Sequence, residues 1–296
     1  MLQFLQSSIS PTSAAEGKWA AALCHDPLPI GGVAVALLLG TYALLGLVPS
    51  LPLLVAGFCG VALVYSVDRG VVASPEDAVN HPGRQRWVRE HRRWLALERV
   101  GLLVGGGGAL SFLSLETMLW AGVGAVLAGL HLLPAGRWGR PLKRTGLAKP
   151  LVVAAAWAAG ATVLPVVEAG GSVSVEIAVL AAYRWLFILP NVLLADWGDR
   201  SGDAAAGLRP WLGRGDGTGL RWAATGLLGG AAGLAVALHA TTGSAGLLLV
   251  DALGLLWMGG AVWELDPERA RHRLLLDLLV AWPLATALAA WGLTNA

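Results

Sequence analysis

Charge is what this sequence has least of. Only 14% of its 296 residues are Asp, Glu, Lys or Arg, while 56% are hydrophobic and the mean hydropathy is +0.64. An ordinary soluble domain carries about 25% charged residues. The deficit excludes a water-soluble fold of this length and points to an integral membrane protein. Cysteine is nearly missing as well. Cys24 and Cys59 form neither a metal-ligand spacing nor a disulfide framework, and read as small apolar filler. The N-terminal stretch "MLQFLQSSISPTSAAEGKW" lacks both a basic start and a long apolar run. Residues 1–29 are therefore expected to be a cytosolic lead-in and not a cleaved signal. The net charge of +2 shows no excess that would favour nucleic acid.

What is present is a series of apolar runs. A membrane helix needs roughly 20 mostly apolar residues, and nine segments meet that length: 30–48, 51–67, 95–113, 115–133, 151–167, 173–195, 220–240, 244–263 and 274–292. The expected fold is all-α, a polytopic bundle of nine transmembrane helices over residues 30–293. Odd-numbered links are short and even-numbered links are long and polar. Of 21 Lys and Arg, 20 lie in the lead-in, in the even links or within a turn of them; Arg184, inside the sixth span, is the exception. Basic loops stay cytoplasmic, which places the N-terminus and the long links in the cytosol and the C-terminus outside. The Ala/Gly-rich, Arg-heavy usage suits a bacterial inner membrane.

Polar chemistry gathers on that basic face. The sixth span runs out into "NVLLADWGDRSGDAAAGLR", which places Asp196, Asp199 and Asp203 at i, i+3 and i+7, along one helical stripe. Like charges at that spacing repel, and no lysine stands at i+4 to relieve them. A divalent cation does relieve them. Mg²⁺ favours one or two carboxylates together with phosphate oxygens and water, so the stripe suggests Mg²⁺ carrying a diphosphate whose tail lies in lipid. Asp68, Glu76 and Asp77 in the second link form a weaker second acidic group.

These residues carry a resemblance. "ADWGDRSGDAAAGLR" resembles the second aspartate motif of the UbiA superfamily of intramembrane prenyltransferases, with Asp196, Asp199, Asp203 and Gly207 in register. The segment from Leu142, "LKRTGLAKPLVVAAAWAAG", is similar to the family's run into its fifth helix. "EDAVNHPGR" is similar to the tail of the first aspartate motif, through Asp77, Asn80, Pro82 and Arg84. The sequence departs from the family where Val64 and Ala195 replace the Asn that usually opens each motif, and where extra residues separate Asp68 from Asp77.

The resemblance implies a helical bundle with a central cavity capped on the cytosolic side. It also implies a Mg²⁺-dependent transfer of an isoprenyl group from an isoprenyl diphosphate to a lipid-soluble or aromatic acceptor. Asp68, Asp77, Asp196, Asp199 and Asp203 become the expected metal ligands, and Asp68, Asp196, Asp199 and Asp203 the expected catalytic group. Arg69, Arg84, Lys143 and Arg144 are the candidate diphosphate partners, because arginine's planar fork pairs with two oxygens and lysine acts as a point charge. Asn191, one turn before Ala195, is expected to face the cavity. Arg184 is expected to pair with Asp251 in the eighth span, or else to bind a polar acceptor.

Other features have plainer readings. "RQRWVREHRRW" is an expected interfacial helix at the lipid headgroups, with Trp87 and Trp94 at that depth. "VGGGGAL" lies inside a span and reads as close helix packing. Histidines such as His81 and His91 show no ligand spacing. Pro190 should kink the sixth span. Two further functional readings stand beside transfer: a member that kept the fold without catalysis, suggested by the altered first motif, and a secondary transporter, suggested by Arg184, Asp251 and Asp277.

Overall fold

With no water in a bilayer core, each backbone N–H and C=O of an apolar segment must be satisfied within the protein, and the helix does this locally. The computed structural model describes residues 21–70, 79–132, 148–205, 216–241 and 245–294, and within them the regular structure is helical. The helices are α1 Leu28–Leu45, α2 Leu51–Gly70, α3 Pro82–Glu90, α4 Arg92–Leu110, α5 Leu115–Leu132 and α6 Ala148–Glu168. They continue as α7 Val175–Gly198, α8 Arg200–Ala205, α9 Thr218–Thr241, α10 Ala245–Glu264, α11 Ala270–Val280 and α12 Pro283–Thr294.

A helix stands at each of the nine places the hydropathy pattern picks out. Six of them (α1, α2, α6, α7, α9 and α10) are long and apolar enough to cross a membrane, and a seventh span results if α11 and α12 count as one. α4 falls short because Arg92, Arg93, Glu98 and Arg99 crowd its first half. The side chains of α5 are described over Leu115–Val126, and that stretch is apolar. The last span, expected to be continuous over 274–292, is in fact two helices bent by 41°. Pro283 opens α12 and has no N–H to extend the preceding helix. The break is seated instead by the Trp282 indole, which donates to Val250 O at 2.8 Å, and by Gly254 and Gly40, where a Cβ would run into Trp282 and Pro283. α7, by contrast, runs through Pro190 without interruption.

α1 and α7 are the most buried spans. α1, α6, α7, α9, α10 and α12 pack in sequence around a closed circuit; α2 and α4 stack outside α1, and α5 outside α6. The main core joins Leu37, Phe187, Leu194, Ala224 and Met258 from that circuit with Leu276 of α11. The outward faces show Leu97, Val104, Leu119, Leu256 and Trp291. Apolar area on that scale is a liability in water and the expected covering for a lipid-facing surface. This is an integral membrane helical bundle.

The polar links meet at two ends. At one end the third and fifth links touch, where Ser114 N donates to Glu168 Oε2 at 3.2 Å. At the other, the lead-in, second, sixth and eighth links and the start of α6 come together. Among the described residues, basic side chains from these links are thus gathered at one end.

Candidate functional site

At the basic end, α2 closes on Arg69, whose Nη1 donates to the carbonyls of His25 (3.3 Å) and Asp26 (3.2 Å) and whose guanidinium lies 5.3 Å above the Tyr65 ring. This anchors the segment leading into α1, which Asp26 caps by accepting from Leu28 N at 2.9 Å. A cavity of about 270 Å³ opens beside it, faced by Arg69, Arg84, Arg273, His25 and His81. Adjoining it is a small, mostly apolar chamber of about 30 Å³, walled by Tyr65, Trp157, Ile188 and Val192. Ile30 and Asp277 border both spaces, and Asn191 borders the smaller one. Both spaces lie at the basic end, where the resemblance expects a capped central cavity.

The expected continuous stripe is interrupted: α7 ends at Gly198 and α8 starts at Arg200, so Asp196 and Asp199 stand at a helix end, and the side chain of Asp203 lies outside the described residues. Asp196, in the last turn of α7, sits 3.6 Å from Lys149 Nζ of α6. Asp199 ends α7 and contacts residues from two distant links: its Oδ1 lies 2.9 Å from His81 Nε2 and 3.0 Å from Arg273 Nη1. Burial pushes the Asp199 carboxyl up, but the His81 hydrogen bond and the Arg273 guanidinium outweigh it and hold the group at about 2. Burial moves His81 the other way, below its usual value, assisted by Arg84 and Arg273 and opposed by Asp199. His81 Nε2 is also 2.7 Å from Arg273 Nη1. One ring nitrogen cannot both donate to Asp199 and accept from Arg273, so the neutral ring serves one neighbour at a time while Arg273 holds the carboxylate.

Asn80 binds the same junction through the backbone. Its Nδ2 donates to Asp199 O and its Oδ1 accepts from Gly202 N, each at 2.7 Å. The tail of the first motif is thereby clamped onto the second. Arg200 stacks 3.8 Å above Trp197 and pairs with Glu268 at 2.5 Å. Glycine is required at two contacts of this junction. A Cβ on Gly198 would sit 2.8 Å from Pro267 O, and Gly217, at φ 79°, faces the Trp197 ring at 2.7 Å.

The structure gathers some expected site residues and separates others. Arg69 and Arg84 face the larger cavity and Asn191 the smaller, while Asp196 and Asp199 stand at the adjoining helix end. Asp68 is half-buried on α2 and borders neither space. Arg184 is fully buried away from both, paired with Asp251 at 2.7 Å. Asp77, Lys143 and Arg144, and the side chain of Asp203, lie outside the described residues. Trp87 is buried and stacked on His91 with centroids 4.6 Å apart, and Trp94 is exposed. Sequence reasoning missed His81, Arg273 and Lys149. Their one signal was position, since all three lie in or beside the even links.

No family model matches the sequence, and no curated protein matches it. A solved structure does: one of digeranylgeranylglyceryl phosphate synthase in membranes, at TM-score 0.55 and 14% identity, over 93% of this chain and 98% of that one. The two share a fold along nearly their whole lengths.

Proposed function

We propose that this chain is an intramembrane prenyltransferase, moving an isoprenyl group from an isoprenyl diphosphate to a lipid-soluble or aromatic acceptor. The observation that carries the reading is an arginine-faced cavity adjoining an apolar chamber, beside a helix end bearing Asp196 and Asp199. The fold shared with a synthase of an isoprenoid glyceryl phosphate supports it. The basic end faces the cytosol and the C-terminus lies outside, in a membrane of the bacterial inner type.

The residues present suit Mg²⁺ when phosphate completes its shell. No group of three His, Cys, Asp or Glu capable of holding a metal occurs among the described residues. Mg²⁺ commonly takes only one or two carboxylates beside substrate phosphates. Asp196 and Asp199 would hold it, with Asp203 the further candidate on α8, and with Asp68 and Asp77 as the first-motif candidates. Bound there, the ion supplies Lewis-acid stabilisation of a departing diphosphate. Arg69 and Arg84 would receive the phosphate oxygens through planar forks, and Lys143 and Arg144, outside the described residues, are further candidates. The apolar walls exclude water from the allylic carbon as positive charge develops there.

The test is direct. Purified protein with Mg²⁺ should bind isoprenyl diphosphates and release pyrophosphate, and Asp196→Ala with Asp199→Ala should abolish both. No binding across chain lengths from about ten carbons upward would defeat the proposal. A second reading, a fold kept without catalysis, is favoured by one observation: Asp199 is already neutralised by Arg273. It predicts that the double alanine variant keeps its biological role.

A further inference from the structure

Asp277 is a carboxylate that nothing so far employs. It stands on α11 at the threshold between the two cavities. It makes no ion pair with any described residue, and its Oδ1 accepts one hydrogen bond, from Asn191 Nδ2 at 3.1 Å. Asn191 is 8% exposed, and its own Oδ1 has no hydrogen-bond partner among the described residues. A buried amide oxygen without a donor carries an uncompensated desolvation cost, and Asp277 is a half-buried carboxylate that lines the larger cavity together with Arg69 and Arg273 but forms an ion pair with neither. Intramembrane acids kept at that expense serve binding or proton transfer. The pair presents two acceptor oxygens and lacks a donor, and the hydroxyl of an incoming acceptor is a donor that would complete it.

The placement fits the reaction. Asn191 precedes Asp196 by five residues, roughly 7.5 Å along the helix axis at 1.5 Å per residue. Asp199 contacts His81 and Arg273, which line the larger cavity, and Asp277 borders that same cavity, so a diphosphate held at the end of α7 would have Asn191 and Asp277 within the reach of its ester-linked carbon. Tyr65 and Trp157, whose centroids lie 6.4 Å apart, flank that point. The chamber's 30 Å³ admits a hydroxyl-sized tip, with the remainder of the acceptor in the larger space or against lipid.

We propose that Asn191 and Asp277 form the acceptor site, that the acceptor is a hydroxyl compound, and that Asp277 takes its proton. The inference rests on the prenyltransferase reading above. In the step, the acceptor oxygen forms a bond to C1 of the isoprenyl chain as the bond from C1 to the diphosphate oxygen breaks. The bonding pair leaves with the diphosphate. The hydroxyl proton passes to the Asp277 carboxylate and from there to water in the larger cavity.

The experiment compares wild type, Asp277→Asn and Asn191→Ala in detergent. It uses a non-hydrolysable isoprenyl thiodiphosphate for binding, and an alkylglycerol, an alkylphenol and their O-methyl ethers as acceptors. Expected are transfer to the hydroxyl compounds and none to the ethers. Asp277→Asn should bind the thiodiphosphate within about threefold of wild type and lose at least about a hundredfold in transfer, the usual size of a lost general base. Asn191→Ala should raise the acceptor KM about tenfold, and it decides the question if Asp277→Asn does not fold. Transfer by Asp277→Asn within threefold of wild type, an unchanged KM in Asn191→Ala, or efficient use of the ethers would each overturn the assignment. Loss of thiodiphosphate binding in Asp277→Asn would overturn it too, by placing the residue at the diphosphate. Wild type that neither binds the thiodiphosphate nor releases pyrophosphate defeats the prenyltransferase reading itself, and this one with it.

Discussion

Separating Arg184 from Asp251 should destabilise the bundle more than any surface change. The two side chains are 0% and 1% exposed, with Nη1 and Oδ1 2.7 Å apart between α7 and α10. The Tyr183 ring, 5.4 Å from the guanidinium, adds a cation–π contact. Two unit charges about 4 Å apart attract by about 4 kcal/mol at an effective dielectric near 20. Removing one partner forfeits that attraction and strands the other charge, for a total of about 3–5 kcal/mol. Removing both strands nothing. Arg184→Met and Asp251→Leu should each lower unfolding stability by that amount, while the double variant should be more stable than either single one. Unfolding of the purified protein in mixed micelles, followed by tryptophan fluorescence, measures all four proteins in one cycle. A double variant as unstable as the sum of the two singles refutes the argument, because the pair would then not be the source of either loss.

Two further outcomes follow from the basic end. Holding the Asp199 carboxyl at about 2, below its usual 3.8, corresponds to roughly 2 kcal/mol of stability at neutral pH. A depressed acid contributes above its unfolded value and loses the contribution as pH falls through its folded one. The stability gap between wild type and Asp199→Asn should therefore be full at about pH 6 and close between about pH 4 and pH 2; a gap independent of pH contradicts it. Gly198→Ala drives a methyl group against Pro267 O and Arg273 Nη2 and should cost about 1–3 kcal/mol, read as a lowered unfolding midpoint; an unchanged midpoint shows that the junction is looser than described.

Hydropathy and charge located the helices because both are properties of consecutive residues. Runs of Leu, Ala and Val mark the spans, and the basic links mark one end. Arg184 was legible as well, since an arginine inside an apolar run needs an acid and Asp251 offered one at similar depth. Asp199 shows where such reading stops. Its partners His81 and Arg273 are 118 and 74 residues away in sequence, and no periodicity connects them. His81 looked idle because its neighbours along the chain are not its neighbours in space. The bend in the last span had a local sign in Pro283, outweighed by the apolar run on both sides. The small chamber beside Asp277 had none, since it depends on how side chains from α1, α2, α6, α7 and α11 fill the interior.

Asn80 spends both ends of one amide on a strand of backbone more than a hundred positions downstream. The second and sixth links are consequently a single inheritable part. Exchanging either one for its counterpart from another protein of this architecture would leave an orphaned carbonyl and an orphaned N–H at the mouth of the bundle, so functional chimeras of this chain must carry the two together.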